Sequence, residues 1–599
     1  MINKRIEQFR KYMIEEKIDA YYIPTADPHL SEYIAPFYKV REFMSGFTGS
    51  AGFLVITHEK AILWTDGRYF IQAENQLKDT CIELYRLGDE GVPNLYEYLE
   101  KTLQKGSVLG LDGSVVSHSD YEKLTKRLNK KNIRFNIDAQ IIHRIWLDRP
   151  PIIPQKAYLL EESMVGETRV SKINRIRKEI IQSESDVHIV SSLEDVMWVL
   201  NMRGNDIKHV PVSYAYLVIK KTEAIVFLYE NVLTKKEMMQ LRDDGIFIKD
   251  YHEIYDIASY IDCEQCKNVF LDKQKINTRL LQLLEENRQI IHTINPSEKM
   301  KAIKNEKEIA QTKVAHIKDG IACARFLHFI KEETKKRTVT EIEAQEKLLA
   351  LRKEQEDFID LSFETICAYG ENGAMMHYQA EREKPVNIKE GNFLLVDSGA
   401  HYAQGSTDIT RTIAIGKVSS KMKELYTAVL KGHMNLAHCR FLHGVRGANL
   451  DVLARGPLWE LGLDYKCGTG HGIGHLLSVH EGPNNFRWKM LDDTCNSAVL
   501  EEGMITTDEP GVYLEGEFGI RIENELLCKK MPIHNEYGQF MEFEIITLAP
   551  IDLEAIDVTK LSKVDRERIN EYHKTVYQQL SPHMKEDEKQ WLGNYTRAI

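Results

Sequence analysis

Residues 392–415 read NFLLVDSGAHYAQGSTDITRTIAI, and this stretch decides how the C-terminal half of the chain folds. Asp397 ends an apolar run, where an unpaired carboxylate would cost several kcal/mol unless it is neutralised or coordinated. Asp408 follows in the same stretch, and Gly399 and Gly405 allow the chain between the two acids to fold back as a hairpin. The two carboxylates would then face one point, which predicts a cation site.

Three further residues downstream fit the same site. Glu509 lies in TTDEPGVY and Glu523 in GIRIENE, where the alternation of a strand places Glu523 and Arg521 on one face. His471 lies in GTGHGIGH, whose glycines permit close backbone approach and leave the imidazole reachable. Four carboxylates and one imidazole suit manganese, cobalt, iron or zinc, and two ions balance their charge best.

Each of these residues also has a structural interpretation. Asp397 could cap a turn, Asp408 could pair with Arg411, and Glu523 could pair with Arg521. An isolated histidine is more often structural than a metal ligand. The order, spacing and glycine context of the whole set favour the metal site.

The N-terminal half alternates helical and apolar strand patterns, which predicts α/β folding. IVSSLEDVMWVLNMRG followed by YAYLVI resembles the earlier YYIPTADPHLSEYI followed by GFLVIT, which favours a diverged duplication over two unrelated α/β domains. Prolines 150, 151 and 154 mark a linker. From residue 365 the sequence consists of strand-like runs broken by glycines, a pattern that predicts α+β folding. We predict domains at residues 1–154, 155–310 and 311–599, the last with a C-terminal extension.

Composition limits the location and the partners of the chain. Its 599 residues carry a formal net charge of −11 at pH 7, which disfavours nucleic-acid binding. The N-terminal MINKRIEQFRKYMIEEK has no signal-peptide core, and no run approaches the roughly 20 apolar residues of a membrane span. Nine cysteines, an odd number in so long a chain, fit reduced thiols rather than a disulfide framework. We expect a cytoplasmic protein that binds neither nucleic acid nor membrane.

The ordered set Asp397, Asp408, His471, Glu509 and Glu523 resembles the metal ligands of the pita-bread metallopeptidases, which include methionine aminopeptidase, prolidase and aminopeptidase P. Four phrases point more narrowly to the long aminopeptidase P group: FTGSAG (47–52), WTDGRYF (64–70), HEGP (480–483) and EPGVY (509–513). The resemblance implies two related creatinase-N-like α/β domains followed by a pita-bread catalytic domain. It also implies a homodimer and two divalent ions per subunit, manganese first, with cobalt, zinc or iron as alternatives.

The resemblance further implies how the ligands are shared. Asp408 and Glu523 would bridge the two ions, Asp397 would hold one, and His471 with Glu509 would hold the other. The expected activity is hydrolysis of the bond between an N-terminal residue and a following proline, with a hydroxide held between the two ions as the nucleophile.

Other residues take substrate roles by the same resemblance. His377 and His480 would contact the substrate and stabilise the reacting carbonyl, and Glu509 would pass a proton to the leaving proline nitrogen. Arg68 would reach the substrate, although a structural arginine at a strand end fits its position equally well.

Two features depart from the family pattern or compete with the assignment. Cys467 stands where related enzymes often have a histidine, and a thiol is a weak donor. His475 competes with His471 as the metal ligand, and the GTGHG context favours His471. Two other functions stay open: prolidase, which cleaves only Xaa-Pro dipeptides, and a metal-free pita-bread module that binds peptides or proteins.

Overall fold

The computed structural model describes residues 1–261, 266–285, 288–489 and 498–599, which divide into two compact units. The first unit comprises Met1–Glu162 and Glu167–Ser297, and the second comprises Ser163–Gly166 and Glu298–Ile599. The second unit therefore begins ahead of the predicted boundary at residue 311. The reason is electrostatic as well as steric, because Lys301 and Lys304 both form buried ion pairs with Glu481.

The first unit opens with a six-stranded sheet. Its strands are β1 (Ala20–Pro24), β2 (Phe53–Thr57), β3 (Ala61–Thr65), β4 (Ile82–Arg86), β5 (Val108–Gly110) and β6 (Arg134–Asn136). They lie in the order β4-β3-β2-β1-β5-β6, with β2 antiparallel to both β1 and β3 and the other pairs parallel. Alternate side chains of β1 enter two cores, Tyr21 and Ile23 on one face and Ala20 and Tyr22 on the other. Both faces are covered, as the apolar strand sequences predict.

A second sheet in the same unit repeats this arrangement. Its strands are β7 (Val187–Val190), β8 (Ala215–Lys220), β9 (Ala224–Leu228), β10 (Ile246–Asp250), β11 (Asn268–Leu271) and β12 (Gln289–His292). The order is β10-β9-β8-β7-β11-β12, and every neighbouring pair runs in the same relative direction as its counterpart in the first sheet. The predicted duplication is confirmed at the level of topology.

The second unit contains a three-stranded and a six-stranded antiparallel sheet and one separate hairpin. Their strands are β13 (Ile366–Tyr369), β14 (Asn392–Ser398), β15 (Ile409–Ile415), β16 (Arg440–Leu442), β17 (Gly470–Gly472), β18 (Glu481–Phe486), β19 (Ile505–Asp508), β20 (Gly511–Leu514), β21 (Phe518–Arg521), β22 (Asn524–Asn535) and β23 (Gly538–Ile545). The sheet orders are β13-β14-β15 and β16-β23-β22-β19-β17-β18, while β20 pairs with β21. The second unit also has a three-stranded sheet of Phe358–Leu361, Ala400–Tyr402 and Gly405–Ser406 and a pair of Val339–Thr340 with Asn387–Ile388. In the first unit, Tyr158–Leu159 pairs with Met202–Arg203.

Helices cover the sheets of both units. Those of the N-terminal half are Ile2–Glu15, Val40–Ser45, Phe70–Leu77, Leu95–Thr102, His118–Leu128, Ile142–Ile145, Glu162–Val165, Arg169–Gln182, Leu193–Leu200, Lys235–Asp243, Ile257–Tyr260 and Thr278–Glu285. Those of the C-terminal half are Pro296–Ala302, Glu306–Glu333, Glu341–Lys353, Ser420–Ala437, Gly447–Trp459, Lys563–Leu580 and Glu586–Tyr595. Asn305 caps the longest one, because its side chain accepts from two backbone N–H groups of the first turn. Among the residues described, no helix is long and apolar enough to cross a membrane.

Candidate metal centre

The hairpin predicted around Asp397 is present. Strands β14 and β15 pair antiparallel, with Asp397 opposite Thr410. The Asp397 side chain is buried, and its Oδ2 accepts a 2.6 Å hydrogen bond from Arg521 Nη2. Its Oδ1 has no hydrogen-bond partner among the described residues. A buried, unsatisfied carboxylate oxygen is costly, so this atom fits a cation ligand.

Asp408 lies just before β15 and is also buried. Its backbone N–H donates to Glu525 Oε1 at 2.9 Å, which fixes the turn into the strand. Burial raises the pKa of Asp408 well above its usual value, and the charges of Asp397 and Glu509 raise it further. Such a group either takes up a proton or binds a cation.

Glu523 lies between β21 and β22 with 1 % of its surface exposed. Thr410 Oγ1 donates to its Oε2 at 2.7 Å. Its pKa is raised well above the usual value by burial first, and then by the charges of Asp408 and Glu509. The carboxylates therefore repel one another across a space from which water is largely excluded.

His471 of β17 is oriented toward these carboxylates. Its Nε2 lies 3.7 Å from Asp408 Oδ2 and 3.5 Å from Glu509 Oε1. Its Nδ1 lies 3.1 Å from the carbonyl oxygen of Val479, so a hydrogen on Nδ1 donates to the backbone and leaves the Nε2 lone pair facing the acids. Metal-binding histidines are commonly held in this way by a backbone carbonyl.

Three of the predicted ligands converge most closely. One ligand atom each from Asp408, His471 and Glu523 lies within 4.8 Å of the others. Glu509 follows β19, with its backbone N–H donating to the carbonyl of Thr469 at 2.7 Å. Oxygen-rich ligands with a single imidazole suit hard or borderline divalent cations.

The predicted substrate histidines lie beside this cluster. The His480 ring stands nearly perpendicular to the His471 ring, with 4.4 Å between centroids. His377 is half-buried, and the preceding carbonyl, that of Met376, accepts from Arg521 Nη2 at 3.3 Å. Arg521 thus joins the segment of His377 to Asp397.

Arg68 belongs to the first unit. It forms a two-point ion pair with Asp66, with Nε–Oδ1 and Nη2–Oδ2 distances of 2.9 and 2.8 Å. This pairing fixes the turn that follows β3.

His475, which competes with His471 as a ligand, and Cys467, which replaces a histidine of related enzymes, lie in different surroundings. His475 is buried, and its Nδ1 lies 3.2 Å from Thr312 Oγ1 on the long helix Glu306–Glu333. Cys467 is half-buried, and its carbonyl accepts from Arg455 Nη2 at 2.6 Å. The geometry places His471, rather than His475, against Asp408 and Glu509.

Within the residues it describes, the structure does not contain the two ion pairs considered from the sequence, Asp408 with Arg411 and Glu523 with Arg521. Arg521 pairs with Asp397 rather than Glu523, and its Nη1 donates to the Tyr513 hydroxyl at 2.7 Å. Arg411 donates to the backbone carbonyl of Glu523 at 2.6 Å rather than to Asp408. Sequence reasoning missed both partners. The strand alternation placed Arg521 on the site face but did not indicate which acid it would contact.

Comparison with known families gives four matches along the chain. Metallopeptidase family M24 matches residues 310–530, and the C-terminal region of that family matches residues 539–599. Two profiles, both described as Creatinase/Prolidase N-terminal domain, match residues 5–140 and 148–308. The two N-terminal matches correspond to the two six-stranded sheets.

Similar proteins extend over the whole chain. Aminopeptidase P2 of Arabidopsis thaliana is 35% identical over 100% of this chain and 89% of its own length. Xaa-Pro aminopeptidase 1 of Dictyostelium discoideum is 35% identical over 100% of this chain and 97% of its own. The crystal structure of X-prolyl aminopeptidase from Caenorhabditis elegans, described as a cytosolic enzyme with a di-nuclear active site, superposes with a TM-score of 0.95 at 32% identity and covers both chains completely. Xaa-Pro dipeptidase from Bacillus anthracis, at 27% identity and a TM-score of 0.52, covers 64% of this chain and 99% of its own.

Proposed function

The chain belongs to the Xaa-Pro aminopeptidases of metallopeptidase family M24, and from this premise we propose that it removes the N-terminal residue from peptides whose second residue is proline. The observation that supports the proposal most directly is the convergence of Asp408, His471 and Glu523 beside the unpartnered Oδ1 of Asp397. A pure binding module would have no need for buried acids that repel one another.

The family implies two divalent metal ions, and we propose Mn²⁺ as the metal. Asp397, Asp408, His471, Glu509 and Glu523 would hold them. When bound, such ions supply an activated water as nucleophile and polarise the scissile carbonyl. Their charge would also relieve the repulsion that raises the pKa values of Asp408 and Glu523.

Side chains of the protein itself would transfer the protons and orient the substrate. Glu509, 21% exposed at its side chain, is positioned to pass a proton to the proline nitrogen that leaves. His480 and His377 would donate hydrogen bonds to the oxygen that gains negative charge. Proline has no amide hydrogen and fixes the chain direction, so a pocket dedicated to that residue is required for this bond.

Several finer features are proposed with this function. The domains at residues 1–154, 155–310 and 311–599 are supported by the profile matches at 5–140, 148–308 and 310–530. A cytoplasmic location is supported by the description of the Caenorhabditis elegans enzyme as cytosolic. Arg68 as a substrate contact rests on the resemblance alone.

We also propose a homodimer. Trp459 and Trp488 are about half exposed and pack edge to face with 5.9 Å between ring centroids. Val452 and Leu461 add exposed apolar surface on the same segment of the second unit. Large aromatic side chains of this kind are enriched at protein interfaces.

Prolidase is the competing activity, and the architecture argues against it. The Xaa-Pro dipeptidase from Bacillus anthracis matches 64% of this chain over nearly all of its own length, whereas the duplicated N-terminal sheets lengthen the present chain. The test is hydrolysis of an Xaa-Pro-Yaa tripeptide beside the Xaa-Pro dipeptide by metal-stripped protein resupplied with Mn²⁺. We expect metal-dependent release of the first residue from the tripeptide. Cleavage of the dipeptide alone would indicate prolidase, and no cleavage with any of several metals would indicate the binding module.

A further inference from the structure

A buried histidine contacts the residues next to two of the proposed ligands, Glu509 and Glu523. His433 belongs to the helix Ser420–Ala437, and none of its surface is exposed. Its Nδ1 donates to the backbone carbonyl of Asp508 at 3.1 Å and lies 3.0 Å from Asp508 Oδ2. Its Nε2 lies 2.8 Å from Asn524 Nδ2. Both ring nitrogens therefore contact residues adjacent to proposed ligands.

The partners of Asn524 fix the direction of these bonds. Arg411 Nη2 donates to Asn524 Oδ1 at 2.8 Å, and a guanidinium can only donate. The Asn524 amide nitrogen therefore faces His433 and donates to Nε2. The hydrogen of the imidazole then lies on Nδ1, where it donates to Asp508. A hydrogen on Nε2 instead would face the Asn524 amide hydrogens and leave the Nδ1 lone pair against the Asp508 carbonyl oxygen.

Two main-chain carbonyls next to the proposed ligands each accept a hydrogen bond from a buried side chain. His433 holds the carbonyl of Asp508, which forms the peptide leading to Glu509. Arg411 Nη1 holds the carbonyl of Glu523 at 2.6 Å, and that carbonyl forms the peptide leading to Asn524. We refer to Arg411, Asn524 and His433 as the clamp.

The position of the clamp along the strands explains why it matters. Asp508 and Asn524 face each other as the terminal register pair of β19 and β22. Beyond this pair the β19-β22 ladder ends, and pairing resumes only at Gly511 and Arg521 of the hairpin β20-β21. In between, the N–H groups of Glu509 and Glu523 donate to other segments, at the carbonyls of Thr469 and Thr410. The clamp adds a side-chain link between the segments of Glu509 and Glu523 at that point.

We propose that His433 is a positioning residue for the metal centre: through the clamp it sets the placement of Glu509 and Glu523. The inference rests on the proposed function, because it assigns those two acids as ligands. Partners that orient metal ligands typically contribute 10- to 100-fold in metal affinity or activity, so about that loss is expected when the clamp is broken.

The experiment compares His433→Asn, His433→Gln and His433→Leu with the wild-type protein. An asparagine amide can still donate toward Asp508, a glutamine amide can still accept from Asn524, and leucine does neither. The matched control is His438→Gln, because the Nδ1 of His438 lies 3.1 Å from the Met434 carbonyl of its own helix. Each protein is stripped of metal, checked for folding by circular dichroism, and titrated with Mn²⁺ by calorimetry before kcat and KM are measured on an Xaa-Pro-Yaa peptide.

We expect the Asn and Gln variants to bind Mn²⁺ about tenfold more weakly and to lose kcat with little change in KM, with the Leu variant weaker still. Wild-type Mn²⁺ affinity and kcat in the folded Asn and Gln variants would overturn the inference. If the Leu variant does not fold, the other two still decide the question. If the wild-type protein binds Mn²⁺ without cleaving the peptide, the proposed function fails, while the calorimetric comparison still tests the clamp.

Discussion

Arg521 donates a 2.6 Å hydrogen bond from Nη2 to Oδ2 of Asp397, and both side chains are buried. The same guanidinium contacts the Tyr513 hydroxyl and the carbonyl of Met376. It therefore supplies the main positive charge of the side chains around the acids. It also connects the hairpin of Asp397 with the segments that carry His377 and Tyr513.

The first prediction concerns this arginine. Arg521→Lys keeps the charge but loses the planar fork, so a single ammonium nitrogen cannot reach the partners that Nε, Nη1 and Nη2 contact separately. We expect kcat on an Xaa-Pro-Yaa peptide to fall about 10- to 100-fold. Arg382→Lys is the control, because Arg382 forms an exposed ion pair with Glu346. An unchanged kcat in Arg521→Lys would show that the charge alone suffices.

The second prediction concerns a buried acid of the cluster. Asp408→Asn removes one of the proposed metal ligands, and we expect about a thousandfold loss of kcat, equivalent to roughly 4 kcal/mol. Calorimetry should show Mn²⁺ stoichiometry below two per chain. Asp557→Asn, at an exposed site bonded to Thr559, is the control. Two tightly bound ions in Asp408→Asn would remove Asp408 from the ligand set.

The third prediction separates substrate contacts from metal binding. His480→Ala should lower kcat by about 10²- to 10³-fold through loss of a donor to the developing negative charge. Its Mn²⁺ affinity should stay close to that of the wild type, because His480 contacts the His471 ring by its face and edge. His534→Ala, at an exposed position of β22, is the control. A large drop in Mn²⁺ affinity would reassign His480 to the metal site.

The fourth prediction links pH, metal and stability. The pKa values of Asp408 and Glu523 are raised in the folded protein, so the metal-free fold is favoured while these groups are protonated. Metal-free protein should lose stability as pH rises above the ordinary carboxyl range near 4 and through the raised values. Bound cations remove that loss. Scanning calorimetry should therefore show a larger Mn²⁺-induced rise in Tm at about pH 8 than at about pH 6, and an equal rise would contradict the prediction.

The fifth prediction concerns a carboxyl in the first unit. Burial raises the pKa of Asp27 to about 6, although the backbone N–H groups of Ser31 and His29 lower it. Because the folded pKa lies above the ordinary value, stability falls as pH rises toward and through 6, by about 3 kcal/mol in all. Asp27→Asn should flatten this part of the pH profile in urea unfolding. A profile of unchanged slope would place its origin elsewhere.

Local sequence signals predicted the fold where they were strong. The apolar run into Asp397 and the glycines after it gave a hairpin, and the alternation from Arg521 to Glu525 placed these side chains on one face. The repeated strand patterns of the N-terminal half gave two domains of one topology.

The partners of the buried charges could not be predicted from the sequence. Arg521 could have paired with any acid of the site face, and only the three-dimensional packing selects Asp397. His433 is harder still, because it lies in a helix remote in sequence from Asp508 and Asn524, and nothing around it resembles a site motif. Its contacts depend on how that helix packs on β19 and β22.

The duplication of the N-terminal sheet has a consequence for the charges at corresponding positions of the two copies. Arg68 comes three residues after β3, and the equivalent position after β9 is Asn231, since Ala61 and Ala224 hold matching places in the two registers. The turn after β3 in the first sheet thus carries a cationic side chain, and the turn after β9 in the second sheet carries a neutral amide. A shared topology therefore does not bring a shared binding chemistry, and a contact proposed for Arg68 does not transfer to the second copy.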